Sequence, residues 1–496
     1  MLYQSTRENT KKITGSEAIV CGLSYDGGLY VPESFPNISL DKIRELISKP
    51  YHTRATEIME KYLTDFTSDE LDKYTKAAYN TQNYDNPLIA PIYSVDNNTH
   101  FLELWHGPTS AFKDMALQVM PYLLTASLHK TNEQNEVCIL VATSGDTGKA
   151  ALEGFCDVKG TRIMVFYPKD GVSDIQKLQM VSQNGCNVNV VAVEGNFDDT
   201  QTGVKAIFSD NILAEKINNT GFFLSSANSI NWGRLVPQIV YYFSAYCDLI
   251  NNESIKPGDK INYCVPTGNF GNILAGYYAY KMGLPINKLI CASNRNDVLT
   301  QFINTGVYNK KRAFYTTISP SMDILVSSNL ERLLYEMSDK NGDIISSYMK
   351  ALVKEGSYKV PHSMHDKITE IFASGYSSEE DTLETIKNVY NKYDYLIDPH
   401  TAVAYKALQD YRELNNDNTH TVIISTASPY KFCESVLKAL GQASLSGGIS
   451  AIEELYKLTG VDIPKPIKRL ENSTIRFTRF IEKDEMSTAV LEFLGG

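Results

Sequence analysis

One lysine in this chain stands where helix electrostatics argues against it. The run Trp105-His106-Gly107-Pro108-Thr109-Ser110-Ala111-Phe112-Lys113-Asp114 reads as a Gly-Pro turn leading into a helix, with Lys113 in the first turn. The positive end of a helix dipole disfavours a cation there by roughly 0.3–1 kcal/mol and lowers the amine pKa. A lysine so treated is suited to act as a neutral nucleophile and to form a Schiff base with a carbonyl. On its own the segment also describes a solvated lysine near an N-cap at Thr109 or Ser110.

Three further turns could serve such a lysine. Pro266-Thr267-Gly268-Asn269-Phe270-Gly271-Asn272 follows an apolar strand over Asn262–Val265 and opens a helix over Ile273–Met282. Strand, glycine turn and helix start offer backbone N–H groups and a dipole end to a phosphate. The turn lacks the Lys-Ser/Thr ending of a P-loop, and no G-x-G-x-x-G stands in the right context, so nucleoside triphosphates and dinucleotides are disfavoured. Thr143-Ser144-Gly145-Asp146-Thr147-Gly148 ends another strand and opens a helix over Lys149–Cys156, with hydroxyls and amides suited to a carboxylate. Ser425-Thr426-Ala427-Ser428-Pro429 ends the last apolar strand and could bring a hydroxyl to a ring nitrogen. Each of the three, taken singly, also reads as an ordinary turn or strand end.

The elements that must position these turns follow a regular alternation. From Val137 onward, short β-branched runs alternate with amphipathic helices, and Gly, Asn, Ser or Pro marks each junction. That pattern specifies a parallel sheet, whose ligands gather at the carboxyl ends of the strands. Strands are expected at Val137–Thr143, Arg162–Tyr167, Val188–Val193, Gly221–Leu224, Asn262–Val265, Leu289–Ala292 and Val422–Ser425. Residues before about Asn86 look like a separate N-terminal unit, and Met322 to about Lys392 reads as a helical insertion before the last strand. At 496 residues, more than one domain is expected.

Composition excludes several classes. A net charge of -11, from 58 acidic against 47 basic side chains, argues against a nucleic-acid partner. The 43% apolar content is enough for sizeable cores. His362-Ser363-Met364-His365 lacks the spacing and third ligand of a metal site, and no G-x-S-x-G elbow is present. The 31 tyrosines are spread along the chain as packing residues. Eight separated cysteines read as buried thiols in a reducing compartment. With no apolar leader at the start and no span of ~18 apolar residues, a cytoplasmic protein away from membranes is expected.

Taken together and in order, the segments resemble the threonine synthase family, fold-type II pyridoxal 5′-phosphate (PLP) enzymes of the tryptophan synthase β-subunit superfamily. The likeness runs over nearly the whole chain. Tyr3-Gln4-Ser5-Thr6-Arg7 and Gly22–Pro32 are similar to that family's N-terminal domain. Phe112-Lys113-Asp114 is similar to its lysine segment, Ser144–Gly148 to its substrate-side loop and Gly268–Asn272 to its cofactor-phosphate loop. Asn228-Ser229-Ile230-Asn231-Trp232-Gly233-Arg234, Ser319–Ile324, Asp398-Pro399-His400-Thr401-Ala402 and Ser425–Pro429 complete the set. Two positions depart from it: Lys149 replaces an expected small residue or proline, and Ser428 stands where histidine is common.

The resemblance implies an α/β fold of two open, mostly parallel sheets flanked by helices, with the cofactor in the cleft between them. It implies an N-terminal unit over 1–86, a catalytic region over 87–470 and a C-terminal segment over 471–496. The implied reaction converts O-phospho-L-homoserine and water to L-threonine and phosphate, in a monomer or homodimer. Lys113 would tether PLP and shuttle protons. Gly268, Asn269, Phe270 and Asn272 would hold the cofactor phosphate, and Thr426 its ring nitrogen. Ser144, Gly145, Asp146 and Thr147 would receive the substrate carboxylate. Arg234, beside Asn231, would take the leaving phosphate, with Lys149 a weaker second. The alternatives are a phospholyase on the same scaffold that ends at a keto acid, and a PLP-binding protein without turnover.

Overall fold

The computed structural model describes residues 1–8, 10–169, 172–442 and 447–495. Two sheets organise the chain. The larger runs in the order Phe372–Tyr376, Ile286–Ser293, Ile261–Pro266, Thr421–Ser425, Thr99–Glu103, Ile92–Ser94, and only its last pair is antiparallel. The smaller runs Phe480–Ile481, Val188–Val193, Thr161–Pro168, Glu136–Ala142, Phe222–Ser226, parallel throughout. Val190, Phe166, Leu140, Cys264 and Ile423 are buried to within 1% of full, as strands covered on both faces require.

All seven expected strands are present, within three residues at each limit. The stretch from Met322 to Lys392 is not only helical. Besides the helices Leu330–Met337, Gly342–Lys354, His362–Ile371 and Glu379–Tyr393, it contributes the edge strand Phe372–Tyr376. The sequence Phe-Ala-Ser-Gly-Tyr looks like a turn locally, and pairing with Ile286–Ser293 overrides that preference. The thiols also depart from expectation: Cys21 and Cys186 are exposed and Cys156 is half-buried, while the other five are buried.

The N-terminal residues form a small antiparallel pair, Tyr3–Ser5 with Tyr30–Pro32, followed by the helices Leu40–Leu46, Tyr51–Met59 and Ser68–Ala78. They grip the helix Trp232–Asn251, which is buried around almost its whole circumference. Trp232 lies 5.1 Å from the ring of Tyr3, 5.4 Å from Tyr62 and 5.9 Å from Tyr278. Arg54 reaches across to Asp248 at 2.7 Å and to the Ser244 hydroxyl at 2.8 Å. The helix that carries Arg234 is therefore anchored from the N-terminal side. Among the described residues, no helix is long and apolar enough to cross a membrane.

Candidate active site

The functional turns are the extensions of parallel strands at their carboxyl ends. The loop after Thr99–Glu103 carries Lys113 and is stitched to the turn after Thr421–Ser425. Phe112 N–H donates to the Thr426 carbonyl at 2.8 Å, and Ser428 N–H donates to the Ser110 carbonyl at 3.1 Å. Inside the loop, the Asp114 carboxylate accepts from Thr109 N–H at 2.8 Å and from its hydroxyl at 2.7 Å. Burial raises the Asp114 carboxyl to about 6, against those two hydrogen bonds. Ser110 holds a left-handed backbone, φ 56°, and its hydroxyl is buried without a partner among the described residues.

Lys113 precedes a helix of only four residues, Asp114–Leu117, too short for a strong dipole. Burial is what lowers its amine, to about 8; Asp146 opposes the shift, and Arg234 and Lys431 add to it. The ammonium stands 3.6 Å from Asp146 Oδ2. Asp146 is itself a buried junction. Its Oδ1 accepts from Lys431 at 2.9 Å and from Gln176 Nε2 at 2.8 Å, and its Oδ2 accepts from the Ser321 hydroxyl at 3.3 Å. Burial alone would raise this carboxyl, but Lys431 and Lys113 hold it well below the usual carboxylate range.

Two fans of backbone N–H groups open beside this junction. Among the described residues, the amides of Gly268, Asn269, Phe270, Gly271 and Asn272 find no acceptor in the protein. Phe270 adopts a left-handed φ of 61°, which turns the chain into the helix Gly271–Lys281. The Asn269 and Gly268 carbonyls are drawn away, to Asn329 N–H at 3.1 Å and the Ser327 hydroxyl at 2.7 Å. A loop half-buried at Gly268 and Asn269 and buried from Phe270 on, with this many unmatched donors at a helix start, fits the phosphate of PLP, with Lys113 available for its aldehyde. The second fan lies at the helix Asp146–Gly154. The Thr143 hydroxyl takes Gly145 N–H and Gly148 N–H at 3.0 and 2.8 Å, leaving those of Ser144, Asp146 and Thr147 without protein partners among the described residues.

Several candidate side chains are committed elsewhere. Of Asp146 only the N–H is open, because its carboxylate serves the ion pairs. Asn231 caps its helix: its amide donates to the Ile19 and Ser226 carbonyls at 3.0 Å, and its oxygen accepts from Gly233 N–H at 2.8 Å. Lys149 pairs with Glu153 at 2.8 Å and with Gln183. Arg234 differs from these. It is 2% exposed, bonds the Ala227 carbonyl, leaves Nε without a partner, and faces no carboxylate in an ion pair among the described residues. Thr426 is 5% exposed, and among the described residues its hydroxyl engages no protein group.

Four contributors were given no role from sequence. Lys431, Gln176 and Ser321 converge on Asp146, although nothing in their local sequence signals burial or charge pairing. His400, quoted above only as part of a motif, donates from Nδ1 to Asp398 at 2.6 Å and accepts Ser321 N–H on Nε2 at 3.2 Å. The Ser321 loop in turn backs Gly268.

Three family models match successive segments: "Threonine synthase N terminus" over residues 2–79, "Pyridoxal-phosphate dependent enzyme" over 95–365 and "Threonine synthase, C-terminal" over 401–488. Human "threonine synthase-like 1" is 42% identical over 463 residues, covering 91% of this chain. The match covers 61% of the human protein, so the chain spans less than two thirds of that relative. Threonine synthase of Saccharomyces cerevisiae is 37% identical over 514 residues, covering 98% of both chains. The crystal structure of PLP-bound threonine synthase from Brucella melitensis superposes with a TM-score of 0.87 at 34% identity, covering 100% of this chain and 98% of that one. Matched from its N-terminal unit to its last helix, the chain belongs to the threonine synthase family of fold-type II, pyridoxal-phosphate-dependent enzymes.

Proposed function

We propose that this protein converts O-phospho-L-homoserine and water to L-threonine and phosphate. The observation that carries the reading is Arg234: a buried guanidinium with no carboxylate partner among the described residues, coupled to a buried lysine whose amine is lowered to about 8. An uncompensated buried cation is costly unless an anion arrives to match it. A phosphate ester reacting at Lys113 supplies that anion, and guanidinium can bind phosphate in a bidentate manner.

PLP, when bound, supplies the electron sink that makes the substrate's Cα and Cβ hydrogens acidic. Lys113 would tether it, and the Lys113 nitrogen, when free, would take and return protons at the substrate's Cα and Cβ. The amides of Gly268, Asn269, Phe270 and Asn272 would hold the cofactor phosphate, and the Thr426 hydroxyl would serve the ring nitrogen without a full charge. The amides of Ser144, Asp146 and Thr147, with the Ser144 and Thr147 hydroxyls and the turn at Gly145, orient the substrate carboxylate. Arg234 takes the leaving phosphate, and Asn231 holds the helix start from which it projects. Burial of Lys113 at 9% exposure keeps bulk water from the proton it carries.

We place the catalytic region at 87–470, between an N-terminal unit at 1–86 and a C-terminal segment at 471–496, in a cytoplasmic monomer or homodimer. Eight unpaired thiols fit a reducing compartment. The test is to incubate the PLP-loaded protein with O-phosphohomoserine and measure phosphate and threonine together. Equal yields support the proposal. Phosphate with a keto acid would identify the phospholyase instead, and no turnover would leave a PLP-binding protein.

A further inference from the structure

Lys431 is completely buried, yet it carries no role in the reaction described so far. Its ammonium donates to the Thr109 carbonyl at 2.9 Å and to Asp146 Oδ1 at 2.9 Å. A second element reaches the same two acceptors. On the helix Asp174–Val181, Gln176 Nε2 donates to Asp146 Oδ1 at 2.8 Å and Gln179 Nε2 to the Thr109 carbonyl at 3.3 Å. That helix is joined to Lys431 by its N-cap, since the Ser173 hydroxyl donates to the Lys431 carbonyl at 3.1 Å. Lys431 follows a strand of the larger sheet, and the glutamines follow a strand of the smaller one. The Lys113 loop and Asp146 are thus clamped from both sheets at once.

Charge counting gives the clamp a chemical purpose. Asp146 faces two ammonium groups, Lys431 at 2.9 Å and Lys113 at 3.6 Å. A buried carboxylate left without a cation is strongly destabilising. Were Lys113 its sole partner, Asp146 would hold Lys113 in the charged, unreactive form. With Lys431 permanently in place, discharge of Lys113 leaves one carboxylate and one ammonium, a balanced pair.

Resting on the function proposed above, we infer that Lys431 is a positioning residue: the standing counter-ion of Asp146 and the pin of the Thr109 carbonyl, which frees Lys113 to react as a neutral amine. It touches neither cofactor nor substrate and acts through Asp146 and the loop.

The test is a pH titration of the visible absorbance of the PLP-loaded protein without substrate, in wild type, Lys113→Ala, Lys431→Met and Lys431→Arg. The charged and titratable groups facing the pair are Lys113, Asp146, Arg234, Asp114 and His400, all retained in the Lys431 variants. Loss of one positive charge beside Lys113 favours its protonated form, so the Lys431→Met midpoint rises by about one pH unit or more, while Lys431→Arg stays within about half a unit of wild type. kcat falls in Lys431→Met more than KM changes. If Lys431→Met does not fold, Lys431→Met/Asp146→Asn removes both charges, and it is expected to fold with a midpoint near that of wild type. A folded Lys431→Met with an unmoved midpoint, or Met and Arg variants shifted alike, overturns the inference alone. A wild-type band that persists in Lys113→Ala overturns the functional reading, and this inference with it.

Discussion

Gly268 faces the carbonyl oxygen of Ser321 so closely that a Cβ at 268 would lie 2.6 Å from it. The obstacle is backbone, which cannot swing aside as a flexible side chain would. Gly268→Ala therefore displaces either the glycine turn or the Ser321 loop, at a cost of about 1–3 kcal/mol in packing. Fluorescence titration of the cofactor-free variant with PLP should show affinity reduced about tenfold or more. An unchanged dissociation constant would remove these amides from the phosphate site.

Lys113→Ala is expected to abolish the Lys-dependent visible absorbance and to lower turnover by about 10³-fold or more, because tether and proton carrier are the same atom. Its lowered amine also sets a pH dependence. Burial brings Lys113 from 10.5 to about 8, so the neutral fraction, and with it the rate of cofactor uptake by the cofactor-free protein, rises through pH 8. From about pH 8 to 10.5 the unfolded chain still holds a proton that the folded chain has released, so the cofactor-free fold gains stability over that window. Uptake with a midpoint near 10.5 would contradict the buried environment.

Arg234 and Lys149 are both cations near the substrate side, and their surroundings separate them. Arg234→Gln removes a buried guanidinium with a spare donor and should cut kcat/KM for O-phosphohomoserine by about 10–100-fold, the loss of a charge-assisted hydrogen bond. Lys149→Ala removes an ammonium already paired with Glu153, and kcat/KM is expected to stay within about threefold. Steady-state kinetics on the two variants decides between them; a larger loss at Lys149 would reverse the assignment.

His400 links Asp398 to the loop that backs Gly268. Replacing it with phenylalanine keeps ring volume but strips a donor from a fully buried carboxylate and an acceptor from Ser321 N–H. A stability loss of about 1–3 kcal/mol is expected in chemical denaturation, together with weaker PLP binding. Loss of stability without any change in PLP binding would restrict His400 to the scaffold.

Much of the architecture is legible locally. Val188–Val193 or Thr421–Ser425 is an apolar β-branched run bounded by turn residues, and that pattern requires no knowledge of distant partners. Four strands of the two sheets were not foreseen: Ile92–Ser94 and Thr99–Glu103, which lie before the regular alternation begins, Phe372–Tyr376, which contains Ser and Gly, and Phe480–Ile481, whose two residues carry no period.

The sequence by itself determined that three turns stand at strand ends in a parallel α/β framework and that one lysine follows a Gly-Pro turn, because propensity and turn chemistry act over a few residues; that the lysine's own loop extends a strand of the same sheet was decided by pairing. Only the tertiary structure decided where each charged side chain goes. Asp146 became an ion-pair junction, Asn231 a helix cap and Lys149 the partner of Glu153, while Arg234 was left without an ion pair to a carboxylate among the described residues. Lys431 bonds the carbonyl of a residue 322 positions earlier. No local pattern encodes a partner at that separation: the pairing is set by which strand ends the two sheets bring together, and by the cost of burying a charge alone.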